Sequence, residues 1–200
     1  MSFSVAITGG IACGKSLFAK HLRKWGLDLL DADEVVHALQ APGGEAVEPI
    51  RLSFGGHVIA PDGSVDRKAL ADLIFSDAEA RKKLNQIMHP RVRQKIQSWL
   101  REPGGSGVKA VVIPLLYEVG WEKNWDLIIC VTSHTQTQVD RLMRFRGLSA
   151  EQAHQRLASQ MPIAEKAARA DLTVNNNAGE EELASEAKRI YRLLMEKIRI

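Results

Sequence analysis

Cysteine is scarce in this chain: Cys13 and Cys130 are the only two among 200 residues. Two thiols cannot build a disulfide framework. Cys13 also lies in a glycine-rich stretch, where a bridge would stiffen a binding loop, so both are read as reduced. Long apolar runs are missing, and the N-terminus lacks the basic flank and cleavage site of a secretory signal. The expectation is therefore a cytoplasmic chain with no membrane partner. A strong excess of one charge is absent as well, since a net charge of +3 implies no nucleic-acid partner without a clustered patch. Repeats and low-complexity tracts do not occur. What is present is ordinary for a soluble protein, 45% hydrophobic and 26% charged residues, enough for one substantial core in a single globular unit.

The apolar pattern alternates between short buried strands and helices. Ser4 to Thr8, Leu27 to Leu30, Ala110 to Leu116, Asp126 to Thr132 and Leu172 to Val174 read as strands. Helices fall between them, with a run of helices and no strand over residues 34–101. There Asp66 is placed to cap one helix and Pro90 to bend another. This alternation predicts an α/β fold, a three-layer sandwich on a parallel sheet, with residues 34–101 inserted over the sheet's carboxyl edge.

Gly9 and Gly14 enclose four residues, and Lys15 and Ser16 follow, giving G-x-x-x-x-G-K-S between a predicted strand and a predicted helix. Glycines let backbone N–H groups turn inward around phosphate oxygens, and the helix N-terminus adds partial positive charge. Lys15 would reach the β- and γ-phosphates. The Ser16 hydroxyl would ligate Mg²⁺. The candidate ATP site thus comprises Gly10, Ile11, Ala12, Cys13, Gly14, Lys15, Ser16 and Leu17. The guanine-reading N-K-x-D of regulatory GTPases is absent. So is the apolar strand ending in aspartate that motor ATPases use, which leaves the small-molecule kinases.

Such kinases place a carboxylate near the acceptor hydroxyl. Asp31 and Asp33 follow the second strand, expected to lie beside the first, so both carboxylates belong to the sheet's carboxyl edge. Asp31, three residues before Glu34, also suits a helix cap. Asp33 is not needed for that cap. It is the candidate base, or a water-mediated contact to the metal.

Together, TGGIACGKS, LLDADEVVH, LNQIMHP, VIPLLYE and the stretch from Arg141 to Gly179 resemble the dephospho-coenzyme A kinases, in the same order and over nearly the whole chain. The resemblance implies a P-loop kinase fold with a five-stranded parallel sheet. It also implies transfer of the ATP γ-phosphoryl group, with Mg²⁺, to the ribose 3′-hydroxyl of dephospho-coenzyme A. It divides the chain into a core of about 1–33, 108–135 and 171–200, a helical acceptor-binding insertion of about 34–101 and a helical lid of about 141–170. By position, Asp33 matches the base, Lys15 and Ser16 the phosphate and metal groups, and His89, Leu115 and Glu118 the acceptor side. His89 and Glu118 also have plain readings, as a packed helix residue and a surface residue.

The lid is cation-rich, with Arg141, Arg144, Arg146, Arg156, Lys166 and Arg169. Family members commonly carry an arginine followed by an acid where this chain has Phe145-Arg146. Arg141, Arg144 and Arg146 thus stand as candidates to contact phosphate, Arg141 and Arg144 being assigned the catalytic role. Asn175, Asn176 and Asn177 follow the last strand, and the resemblance gives this loop, through Asn177, a part in the adenine pocket. The rival readings are a kinase for shikimate, gluconate or a nucleotide, and a nucleotide sensor without catalysis. The expected assembly is a monomer or weak homo-oligomer.

Overall fold

In a computed structural model, residues 2–198 are described, apart from the side chain of Ser76. The strands are β1 (Phe3–Gly9), β2 (Asp28–Asp31), β3 (Val108–Val112), β4 (Leu127–Thr132) and β5 (Leu172–Asn175). They form one parallel sheet in the order β2-β3-β1-β4-β5. Val5, Ala6 and Ile7 of the central strand are fully buried, as a strand covered on both faces requires. Register runs from Phe3 opposite Val108 to Ile7 opposite Val112 on one side, and from Val5 opposite Leu127 to Gly9 opposite Val131 on the other.

Two expectations shift. The second strand is not the neighbour of the first, because β3 lies between them. Hydrophobic periodicity cannot reveal this, because strand order is decided by which crossovers cover the sheet. The third strand ends at Val112 rather than at Leu116. Ile113 N–H still bonds the Ile7 carbonyl at 2.8 Å, but Pro114 has no N–H to extend the ladder, and the chain turns.

The chain divides into two compact units, one of the described residues up to Leu30 with those from Pro103 on, and the other Asp31–Glu102. In the first, α1 (Lys15–Lys24) and α9 (Glu180–Lys197) cover one face of the sheet. Leu183, Ala187, Ile190 and Leu194 make the helical stripe by which α9 joins Phe18, Leu22, Val112 and Ile129 in the core. Burial of each such large side chain contributes about 1.5–3 kcal/mol. Helices α6 (Thr135–Arg146), α7 (Ala150–Ala158) and α8 (Ile163–Arg169) lie between β4 and β5 in the chain, and α8 packs on β4 and β1.

The second unit contains α2 (Ala32–Gln40), α3 (Val47–Phe54), α4 (Arg67–Ser76) and α5 (Ala78–Arg101), around Leu39, Ile50, Leu70, Leu84 and Met88. Asp66 caps α4 at Lys68 and Ala69 N–H, both at 3.0 Å, as its position predicts. Helix α5 continues through Pro90 to Arg101. In the turn around that proline, Arg91 Nη1 also donates to the Ile87 carbonyl at 2.7 Å.

Candidate active site

The phosphate loop leaves β1 at its carboxyl end, beside the point where strand order reverses, which is where open α/β sheets bind ligands. Its two motif glycines have separate reasons. Gly9 has φ 147°, and a Cβ there would overlap the Val131 carbonyl of the neighbouring strand. Gly14 is left-handed at φ 91°, and a Cβ there would meet the Asn176 side-chain amide. Between them Ala12 holds φ 58°, a left-handed conformation without glycine's freedom.

Lys15 Nζ donates to the carbonyls of Gly9 at 3.1 Å and Gly10 at 2.8 Å, and so lies over its own loop. Ser16 is exposed on the first turn of α1 and makes no side-chain hydrogen bond among the described residues. Leu17 packs against the core. Cys13 is buried and its thiol is unbridged. Burial pushes that thiol up, outweighing the pull of nearby Lys15, and pushes Cys130 up to about 12. Both are free thiols, as the sequence reading expects, and burial keeps them protonated.

The lid cations divide into two sets. Arg144, Arg146 and Arg156 are exposed. Arg141 instead turns inward: Nη1 donates to the Ala12 carbonyl at 3.2 Å and to Ser133 Oγ at 3.1 Å, and Nη2 to the Asn176 carbonyl at 3.0 Å and Oδ1 at 3.3 Å. Its fork thus ties the phosphate loop to Ser133, after β4, and to Asn176, after β5. Lys166 is fully buried, 2.7 Å from Glu118 Oε1, and donates to the Pro114 carbonyl at 2.9 Å. Arg169 bonds Glu122 at 2.7 Å and lies 4.4 Å over the Tyr117 ring.

Glu118 is therefore an anchor for α8, also accepting from Met161 N–H at 3.1 Å, while Leu115 is exposed in the turn after β3. Asn177 Oδ1 accepts from His134 N–H at 2.7 Å, tying the loop after β5 to the start of α6. Its neighbour Asn176, not selected by sequence, is 4% exposed and donates to the Cys13 carbonyl at 2.9 Å. Gln138 and Gln160 were not singled out either. Gln138 Nε2 donates to the Ile11 carbonyl at 2.6 Å, and Gln160 Oε1 accepts from Ile11 N–H at 3.0 Å. A signal existed for Gln138, since it shares the buried stripe of α6 with Val139 and Leu142.

In the unit Asp31–Glu102, Asp31 is the cap of α2, its carboxylate accepting from Asp33 N–H at 2.9 Å. The Asp33 carboxylate is not needed for that cap and is exposed. His89 lies on the α5 face that also carries Arg81, Lys82, Asn85, Gln86 and Pro90. Burial, then the Arg93 charge, holds its imidazole below the usual histidine range.

A phosphate loop at the end of the central strand, on a parallel sheet of order 2-3-1-4-5, defines a P-loop phosphotransferase. The sequence pattern of the family described as dephospho-CoA kinase matches residues 3–182. A dephospho-CoA kinase from Anaeromyxobacter dehalogenans is 43% identical over 188 residues, 93% of this chain and 89% of that one. Another from Geobacillus kaustophilus is 41% identical over 184 residues, 91% of this chain and 92% of that one. Among solved structures, a Thermus thermophilus protein at 35% identity gives a TM-score of 0.81 over 96% of this chain and 98% of that one. Dephospho-CoA kinase from Campylobacter jejuni, 26% identical, gives 0.67 over 96% of each chain. Shikimate kinase from Acinetobacter baumannii shares the fold alone, at 17% identity and a TM-score of 0.56 over 98% of this chain and 95% of that one. The chain belongs to the dephospho-CoA kinase family.

Proposed function

We propose that the chain transfers the γ-phosphoryl group of ATP to the ribose 3′-hydroxyl of dephospho-CoA, yielding CoA and ADP. The observation that carries this reading is the phosphate loop itself, with its carbonyls held by donors and Lys15 over it, in a chain of this family. Asp33 is the base. The acceptor oxygen forms a bond to the γ-phosphorus, the bond from that phosphorus to the bridging β,γ-oxygen breaks, and the hydroxyl proton passes to the Asp33 carboxylate. Two observations support Asp33: it follows directly on the carboxyl end of β2, and Asp31 rather than Asp33 caps the helix. Lys15 moves from the loop carbonyls to the β- and γ-phosphates as these enter. Backbone amides from Ala12 to Ser16 surround the β-phosphate.

Among the described residues, no group of three or more His, Cys, Asp or Glu is placed to hold a metal. The unbonded Ser16 hydroxyl suits Mg²⁺ delivered with the nucleotide, since that ion keeps several waters and needs few protein ligands. Ser16 would hold it, with Asp33 in contact through water. When bound, Mg²⁺ supplies charge to neutralise the phosphate oxygens. His89 and Leu115 line the acceptor side, and Glu118 supports it by anchoring α8. Asn177 shapes the adenine end through its hold on His134. Lid closure belongs to α7 and the exposed end of α6, where Arg144, Arg146 and Arg156 are free of the anchoring that Lys166 gives α8. We place the reaction in the cytoplasm, carried out by a monomer or weak homo-oligomer; among the described residues, no helix is long and apolar enough to cross a membrane.

The test is product formation by the purified chain with ATP, Mg²⁺ and a panel of acceptors. CoA is expected from dephospho-CoA, with turnover at least a hundredfold above that of shikimate, gluconate or nucleoside monophosphates. Turnover confined to one of those others, or none with any acceptor, would overturn the reading.

A further inference from the structure

Three consecutive carbonyls of the phosphate loop are held from outside it. Ile11 O accepts from Gln138 at 2.6 Å, Ala12 O from Arg141 at 3.2 Å and Cys13 O from Asn176 at 2.9 Å. A trans peptide is planar, so its C=O and the next N–H point in opposite directions. Pinning these carbonyls outward therefore turns the N–H groups of Ala12, Cys13 and Gly14 toward the hollow of the loop. Cys13 N–H does cross the loop, in a long 3.3 Å bond to the Gly10 carbonyl that an anionic oxygen would readily displace.

The same contacts bracket the strained residue. Ala12 sits at φ 58°, which costs about 1–2 kcal/mol for a residue with a Cβ. Such a conformation persists only where the surroundings over-determine it. Here the peptide before Ala12 is gripped by Gln138 and the peptide after it by Arg141, and the Ile11 and Ala12 side chains pack against Val139 and Leu142. Gln160 holds the other polar atom of Ile11, its N–H, from the link between α7 and α8. Even Gly10 answers to this arrangement, because a Cβ there would stand 2.6 Å from Gln138 Nε2.

We propose that Gln138, Arg141 and Asn176 form an external brace that fixes the direction of the loop amides, so that Gln138 is a positioning residue for the nucleotide phosphates that it never touches. The proposal rests on the ATP-binding reading of the loop and adds what makes the loop competent. Gln138 is the cleanest member to test, since Arg141 and Asn176 also bond each other.

Calorimetric titration with ATP and Mg²⁺, without acceptor, tests it. Gln138→Leu is expected to raise the ATP Kd about tenfold, the effect of losing one well-placed hydrogen bond. The Kd for dephospho-CoA and the kcat at saturating ATP should stay within about twofold. Ala12→Gly in the Gln138→Leu background should restore most of the affinity, because glycine adopts the left-handed conformation unaided. A merely structural role for Gln138 predicts no such rescue. An ATP Kd within twofold of the unchanged chain, or an equal loss of both ligands, overturns the brace. Should Gln138→Leu not fold, Gln138→Met removes the same bond with a more adaptable side chain, with weaker ATP binding expected and unchanged binding against the proposal. If the unchanged chain binds no ATP, the functional reading itself fails, a different result from any of these.

Discussion

The phosphate loop and the His89 face of α5 are built in opposite ways. Every carbonyl from Gly9 to Cys13 has a donor: Lys15 for the first two, then Gln138, Arg141 and Asn176 in turn. Along α5, by contrast, Arg81, Lys82, Asn85 and Gln86 are exposed side chains on one helix, and only His89 is partly buried. A preorganised loop has its backbone ordering cost met during folding, whereas the α5 face leaves that ordering to whatever binds it. The two should therefore respond differently to substitution.

The sharpest break in the comparison comes from setting Lys15→Ala beside Asp33→Asn. Removing the charge over the loop should lower kcat/KM by more than about 10³ and weaken ATP binding, since both ground and transition states lose it. Asp33→Asn should lower kcat by about 10²–10⁴ while ATP affinity stays within twofold, because the base acts only in the transition state. Steady-state kinetics with calorimetry separate the two. Wild-type turnover in the Asn variant would remove Asp33 from the base role.

The next effect is on stability. Lys166→Met leaves Glu118 without its buried partner and should cost about 3–5 kcal/mol, a fall of about 10 °C in Tm. Adding Glu118→Gln should recover part of that loss, because the orphaned charge disappears. A Tm within 2 °C of the unchanged chain, by scanning calorimetry, would show that α8 is not anchored by this pair.

How much of this could be read in advance differs between local and distant contacts. The motif from Gly9 to Ser16, the Asp31 cap and the Asp66 cap depend on residues a few positions apart, and the sequence displays them. The brace depends on partners 127 to 163 residues away in the chain, as for Gln138 with Ile11 and Asn176 with Cys13. A glutamine or asparagine gives no sign of which distant carbonyl it will meet. For the same reason Asn177 drew attention and the buried Asn176 did not. Lys166 reads in the sequence as one more cation of the lid stretch, because its counter-charge, Glu118, lies on another element. The position of β2 beside β3 was invisible too, since order within a sheet is set by how crossovers pack and not by any one strand's pattern.

The smallest effect tests the α5 face. His89 is held below the usual histidine range by burial and then by Arg93. Above about pH 6.5 the ring is neutral whether the chain is folded or not, and His89 adds no pH dependence. As pH falls below that value the unfolded chain takes up the proton first, so stability declines with falling pH. His89→Gln removes that decline. Urea unfolding at pH 7.5 and pH 5.5 should show the variant losing less stability between the two than the unchanged chain, by a fraction of a kcal/mol, since the site is partly solvated. In the same variant at pH 7.5, the KM for dephospho-CoA should rise severalfold with the KM for ATP unchanged. A rise in the ATP KM instead would connect this face to the nucleotide and erase the contrast with the loop.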